Sequence, residues 1–411
     1  MAAKHIVLTE KNGGMKDLME KYYNMIYYCA YKILFYFTEP FNPSKGGVER
    51  VSIVLGKWFK ENGCTIFYLS NKCVVEKNSL NHIYLPQDGG LKRKENWVFF
   101  KEIILNNSID IIINQAGIFP TSLPLVELKG KALLLSVMHN TLFGMYTHPN
   151  LHIHNRLLLN ILETCWAKSI LKRLFYIKYH CYFKQIVEGS DAVLLLSESF
   201  KKELNYYSRG SLDKVVIIPN PLTIPPNDLI YSKRKEVLFV GRLEYQKRPD
   251  LLLDIWKKVA VFFPEWSLRI LGDGMERKLL EKRIQREKIP NVYLEGFKSP
   301  IPYYQTASIL CMTSCYETFG LVLLEAMNYG VVPIAFNSYP NLKDIIENDK
   351  DGCIIAPFNI NEYADKLLMM MKNESELTRL RENAKMKIEK YNIGLIGCKW
   401  IELFSYLKNN K

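Results

Sequence analysis

The chain has 411 residues, 48% of them hydrophobic, so it is globular and too long for one core, and two domains of about 150 to 200 residues are expected. Lysine and arginine number 55 against 42 acids, a formal +13 that favours anionic partners. No apolar run reaches the roughly 18 residues of a membrane-crossing helix, the N-terminus lacks the apolar core of a secretory signal, and nine scattered cysteines without a C-x-x-C pair read as reduced core thiols of a cytosolic protein with no zinc site.

Residues 1–31 hold Gly13-Gly14 and an aromatic stretch from Tyr22 to Tyr31, and they are expected to form a loose extension or a surface helix. Lys32 to Phe37 is the first predicted strand. Pro40, Pro43 and Gly46-Gly47 follow, then a helix from Val48 to Asn62 that Gly63 ends. A strand, a glycine pair and a helix N-terminus make a nucleotide-site layout, but no G-x-G-x-x-G follows, which excludes a dinucleotide fingerprint. A tight turn is the plainer role for the pair. Ile109 to Ile113 and Leu133 to Met138 read as buried strands ending at Asn114-Gln115 and at His139-Asn140. Open parallel sheets bind ligands outside the carboxyl ends of their strands, so these polar residues are candidates. Trp166 to Lys184 mixes bases with aromatics at helical spacing, so this stretch either lies on an anionic bilayer surface or turns its rings to the core. No nucleic-acid recognition motif accompanies the charge. Asp191 to Leu196 is a further strand.

Val216-Ile217-Ile218-Pro219-Asn220-Pro221 is a strand running into a stiff turn, which reads as a hinge carrying a polar side chain. Val237 to Val240 is a strand entering Gly241-Arg242, and helical periodicity resumes from Leu251 to Val259. Arg242 and Lys247 therefore share one turn, where a guanidinium fork and an ammonium can neutralise a diphosphate. Gly272-Asp273-Gly274 closes another strand against a helix, and the strand Val292 to Leu294 ends at Gly296-Phe297.

Ser308 to Met312 is an apolar strand, followed by a polar turn holding Glu317 and a helix from about Gly320 that Gly330 stops. The N–H groups of Phe319, Gly320 and Leu321, with the positive end of the helix dipole, suit a diphosphate. At roughly 1.5 Å per residue, Glu325 stands about 7 to 8 Å along the axis from Gly320. A carboxylate is repelled by phosphate, so Glu317 and Glu325 are expected to accept hydrogen bonds from hydroxyls, which a nucleotide sugar offers on both sides of its diphosphate. Asp349-Lys350-Asp351 spells a D-x-D string, but it precedes Gly352 and a strand, as an ordinary turn does. Ile393 to Leu407 is an amphipathic C-terminal helix.

Ile-Pro-Asn220-Pro, Val-Gly241-Arg242-Leu with Lys247, Leu271-Gly-Asp-Gly274, Gly296-Phe297 and Glu317-Thr-Phe-Gly-Leu-Val-Leu-Leu-Glu325-Ala stand in one order over residues 215 to 360. In this the chain resembles the family-4 retaining glycosyltransferases of GT-B fold; in the first half only Gly46-Gly47 and His139 fit. The resemblance implies an α/β molecule of two Rossmann-like parallel-sheet domains facing a deep cleft, with the C-terminal helix crossing back to the first. Residues 32–214 with 393–411 would form the acceptor domain and residues 215–392 the donor domain.

The resemblance also implies roles. His139, Arg242, Lys247 and Glu317 are the expected catalytic residues: His139 contacts the donor sugar or the acceptor, Arg242 and Lys247 the diphosphate, and Glu317 the donor hydroxyls. Glu325 would hold the ribose, the backbone of Phe319, Gly320 and Leu321 the distal phosphate, and Thr318 would be a further donor contact. Gly241 and Asn220 complete the expected donor contacts, with Gly296 and Phe297 beside the nucleobase and Gly46 and Gly47 against the donor phosphate. The expected reaction moves a hexose from a nucleotide-diphosphate sugar, UDP being the family's commonest nucleotide, to a saccharide or lipid-linked saccharide in polysaccharide or glycolipid biosynthesis. No metal and no cofactor beyond that co-substrate is expected. Arg242, Lys247 and the helix dipole take a metal's place, and a diphosphate oxygen serves as base for same-face attack. The expected place of work is the cytoplasm, at the inner membrane face. The rival functions are a nucleotide-sugar epimerase of the same fold, which needs no acceptor, a phosphorylase, which needs a longer chain, and a non-catalytic binder of polyanions or membrane surfaces.

Overall fold

The computed structural model describes residues 30–42, 46–71, 82–142, 164–210, 212–227 and 231–410. The extension expected over residues 1–31 lies outside them except for Ala30 and Tyr31.

The chain divides into two compact units: Met1–Thr147 with Ile161–Thr223 and Tyr391–Lys411, and His148–Asn160 with Ile224–Lys390. The first contains β1 (Lys32–Tyr36), β2 (Thr65–Ser70), β3 (His82–Tyr84), β4 (Ile111–Asn114), β5 (Leu133–Met138), β6 (Ala192–Leu195) and β7 (Val215–Ile217), hydrogen-bonded in the order β3-β2-β1-β4-β5-β6-β7. The second contains β8 (Glu236–Val240), β9 (Ser267–Leu271), β10 (Val292–Gly296), β11 (Ile309–Met312), β12 (Val332–Phe336) and β13 (Cys353–Ile355), in the order β10-β9-β8-β11-β12-β13. Each pairing in both sheets is parallel. Parallel strands covered by helices on both faces are apolar throughout rather than alternating. Ile111-Ile112-Ile113 and Leu133-Leu134-Leu135 answer that demand and are at most 3% exposed.

The domain boundary expected at Val215 falls later. Val215–Ile217 pairs with β6 as the edge strand of the first sheet, so the first unit runs on to Thr223. Such a short apolar run carries no local sign of which sheet it will join.

In the first unit, helix α1 (Gly47–Glu61) packs on helix α5 (Ile393–Asn409). Phe59 lies 6.3 Å from Trp400 and 5.6 Å from Phe404, centroid to centroid. A Cβ on Gly397 would come within 2.3 Å of the Trp58 ring, so the crossing requires a residue without a side chain there. Tyr31 meets Phe404 edge-on at 5.8 Å, and Lys408 pairs with Asp110. The C-terminal helix is thus part of the first unit's core. The second unit is built around Trp256, Trp266 and Tyr363, each at most 2% exposed.

Helix α2 (Cys165–Gly189) divides its apolar residues between two faces. Phe175 and Phe183 enter the core at 5% and 0% exposure, whereas Trp166, Ile170, Leu174 and Ile177 are 62%, 52%, 57% and 61% exposed. Among the free thiols whose side chains are described, Cys181 is exposed and Cys64, Cys311, Cys315, Cys353 and Cys398 are buried.

Sequence order reverses between β1 and β4 in the first sheet and between β8 and β11 in the second. Doubly wound sheets hold their ligands at the carboxyl ends beside such a reversal. Gln115 follows β4 in one unit, while the turns after β8 and β11 flank the reversal in the other.

Candidate active site

In the second unit, β8 runs into the turn Gly241–Arg248, and helix α3 (Pro249–Val259) begins immediately after it. Arg248 adopts a left-handed conformation, φ 49°, and Pro249 takes the first helical position, where its missing N–H costs nothing. The hydroxyl of Thr313, just past β11, lies 2.9 Å from the carbonyls of both Lys247 and Arg248 and fixes the end of this turn. The Lys247 side chain passes over Gly241, 3.4 Å from where a Cβ would stand.

The turn after β11 meets it. Lys247 Nζ donates to Glu317 Oε1 at 2.5 Å, and Ser314 Oγ donates to the same oxygen at 2.6 Å. Gln246 joins the two turns twice, its carbonyl accepting from Cys315 N at 2.8 Å and its Nε2 donating to the Tyr316 carbonyl at 3.2 Å, while within its own turn its Oε1 accepts from Arg242 Nη2 at 3.1 Å. Arg242 also pairs with Glu244 at 3.0 Å and is 62% exposed, so its guanidinium reaches solvent. Burial, and secondarily the negative charge of Glu317, hold the enclosed Tyr339 phenol well above its ordinary range.

Helix α4 (Leu321–Asn328) starts directly behind Glu317. Gly320 caps it at φ 79°, and a Cβ there would meet Tyr339 Oη at 2.9 Å, so only glycine serves both the backbone and the space. Gly330, at φ 68°, closes the far end, its N–H donating to Met327 O at 2.9 Å. The first amides of α4 present the partial positive charge of its dipole on the same side as the Glu317 turn. Thr318 O accepts from Asn341 Nδ2 at 3.3 Å, Phe319 is buried, and Leu321 is half-buried. Glu325 is 1% exposed and accepts from Tyr304 Oη at 3.2 Å.

Gly272-Asp273-Gly274 is backbone packed against backbone. A Cβ on Gly272 would stand 1.8 Å from Gly241 O, and one on Gly274 2.4 Å from Leu243 O, while Leu243 N donates to Asp273 O at 2.8 Å. These glycines shape the turn carrying Arg242 and Lys247. Gly296 has φ 76°, and Phe297 is 79% exposed at the end of β10. The D-x-D residues are held by lysines: Asp351 by Lys387 at 2.9 Å and Asp349 by Lys366.

The first unit holds Gly46, Gly47, His139 and Asn220. Gly46 caps α1, and the carboxylate of Glu49 folds back to within 1.9 Å of where its Cβ would be. Burial raises the pKa of Glu49. Gly47 is exposed in the first turn of α1. His139 is 5% exposed at the end of β5, its Nε2 against Gln115 Oε1, and burial lowers its pKa to about 4, so the ring is neutral near pH 7. Asn220 is 6% exposed, just ahead of the boundary at Ile224.

The structure thus gathers Gly241, Arg242, Lys247, Glu317 and the start of α4 within one unit, around linked turns. Gln246, Ser314 and Thr313, which bind those turns together, carry no motif that would single them out in the sequence.

The family described as "Glycosyl transferases group 1" matches residues 223–387. A Haemophilus influenzae chain named an uncharacterized glycosyltransferase is 26% identical over 370 residues, spanning 87% of this chain and 96% of that one. The GalNAc-alpha-(1->4)-GalNAc-alpha-(1->3)-diNAcBac-PP-undecaprenol alpha-1,4-N-acetyl-D-galactosaminyltransferase of Campylobacter jejuni is 28% identical over 53% of this chain and 61% of its own. Among solved structures, Anabaena HepE in complex with UDP superimposes with a TM-score of 0.71 at 16% identity, covering 91% of this chain and all of that one. The two parallel sheets and these likenesses define an enzyme of the glycosyltransferase class with a GT-B fold. Within that class, the second half of the chain, residues 223–387, matches the group 1 glycosyltransferases.

Proposed function

We propose that the protein moves a hexose, with retention of anomeric configuration, from a UDP-linked donor to a saccharide or lipid-linked saccharide in polysaccharide or glycolipid biosynthesis. The observation that carries this is the Lys247–Glu317–Ser314 cluster set directly before the glycine-capped start of α4. An ammonium has three hydrogens, so Lys247 can stay on Glu317 and still donate to a diphosphate oxygen. Arg242, exposed on the same turn, adds a planar fork. These cations and the helix dipole stabilise charge on the departing diphosphate. The acceptor then attacks the same face of the sugar, and a diphosphate oxygen takes its proton. The other oxygen of Glu317 remains available to sugar hydroxyls. Because fixed cations carry the charge, transfer needs no divalent metal. The UDP complex of the structural neighbour supports the nucleotide, and the undecaprenol-linked substrate in the Campylobacter relative's name supports a lipid-linked acceptor.

The exposed stripe of α2 supports attachment to an anionic membrane surface. Trp166, Ile170, Leu174 and Ile177 recur every three or four residues and so share one face, with Arg173, Lys178 and Lys184 exposed on the same helix.

Thermal-shift titration against a panel of nucleotide sugars tests the donor, with one expected to raise the melting midpoint in wild type but not in Arg242→Ala. Proton NMR of the product reads the anomeric outcome. Unchanged rates in excess EDTA are expected. Isomerisation of the donor with no acceptor present would instead identify an epimerase.

A further inference from the structure

Gln115 and His139 stand at the carboxyl ends of adjacent strands β4 and β5, 7% and 5% exposed. Gln115 Oε1 meets His139 Nε2. An amide oxygen carries no hydrogen, so the contact requires the proton to be on Nε2. Nδ1 is then a bare lone pair, and this enclosed atom has no partner among the described residues. Buried acceptors are nearly always satisfied, so one left open in a neutral ring marks a place where a donor arrives with the ligand.

The surroundings keep Gln115 where it is. Its N–H donates to Tyr36 O at 2.9 Å. Next to it, Asn114 closes the turn, donating through Nδ2 to Gly117 O at 2.6 Å and accepting from Ala116 N at 3.1 Å. Gly117 has φ 71°, and a Cβ there would stand 3.1 Å from Val137 O, so the turn lies directly on β5. The glutamine is held on a rigid support, and it holds the ring in turn.

We propose that Gln115 is a positioning residue that fixes His139 as the neutral Nε2–H tautomer and leaves Nδ1 as the acceptor of a hydrogen bond from a carbohydrate hydroxyl. A phosphate or carboxylate is repelled by that lone pair and would need an imidazolium, which burial opposes. The hydroxyl assignment rests on the glycosyltransferase reading above; the tautomer does not.

The test uses the full chain with 15N-labelled histidine, the His139 signals being assigned by their loss in His139→Gln. NMR of the unliganded wild type should show Nε2 protonated and Nδ1 bare. Gln115→Leu should give mixed tautomers and lower kcat/KM by about 10- to 100-fold, the range found when a metal-bound histidine loses its orienting partner. Gln115→Glu should favour the imidazolium and move the acid limb of the pH–rate profile upward by about one unit or more, a change that mere loosening would not produce. An Nδ1-protonated ring in the wild type, with the glutamine amide turned to donate, would overturn the proposal. So would a Gln115→Leu variant with unchanged tautomer and rate. The NMR arm needs no donor, so it distinguishes the tautomers even if the transferase reading fails.

Discussion

Lys247 and Glu317, 70 positions apart in the chain, meet at 2.5 Å with side chains only 15% and 8% exposed. A pair so enclosed gains its attraction at the expense of hydration, and stripping one partner leaves the other charge buried.

Lys247→Met and Glu317→Gln should therefore each destabilise the protein, by about 3–5 kcal/mol where the remaining charge stays unpaired. The double variant Lys247→Met/Glu317→Leu should recover most of that loss in a thermal melt. It should still transfer sugar about 100- to 1,000-fold more slowly, because the cation facing the diphosphate is gone. A double variant as active as wild type would show that the pair serves the fold alone.

The buried His139 gives a pH dependence of defined sign. Its pKa falls from 6.5 to about 4 on folding, so between those values the unfolded chain binds the proton and the native state does not. The stabilisation is fully present above pH 6.5 and is lost as the pH falls toward 4, a difference on the order of 3 kcal/mol. Denaturant melts of wild type and His139→Gln across that window should diverge accordingly. Parallel curves would mean that the ring titrates normally.

The exposed face of α2 predicts a membrane phenotype. Replacing Trp166, Ile170, Leu174 and Ile177 by serine should abolish co-sedimentation with vesicles containing anionic lipid. Activity on a soluble acceptor should persist, since none of the four contributes to a core cluster around the linked turns. Wild-type protein that ignores such vesicles at low salt would rule the attachment out.

The α1–α5 crossing offers a stability test remote from the chemistry. Gly397→Ala places a methyl into the Trp58 ring and should cost about 1–3 kcal/mol, the range for overpacking. Gly397→Ala/Trp58→Leu should restore part of it, as measured by melting.

Much of the fold is legible in the sequence because parallel strands are continuous apolar runs. Leu133–Met138 is predicted and found with the same ends, and Gly330 ends α4 as its position suggests. Val215–Ile217 is different, since its membership in the first sheet depends on β6 alone. The α2 stretch shows the limit of periodicity. Both its faces carry apolar residues, and only packing decides that Phe175 turns inward and Trp166 outward. At the site, the motif residues stand out individually, but the partnership of Lys247 with Glu317 and the bridging by Gln246 join distant segments and leave no local trace. Glu325, read as a ribose contact, accepts from the Tyr304 hydroxyl and is almost wholly enclosed.

Helix α5 completes the first unit with Trp400 and Phe404 laid on Phe59. During synthesis, the lobe whose strands emerge earliest is therefore finished only when α5 has left the ribosome, and until then it shows an open apolar flank to the cell. A premature stop near Tyr391 would spare the later-made unit and ruin the earlier one, so damage far along the chain would appear as collapse of the lobe made before it.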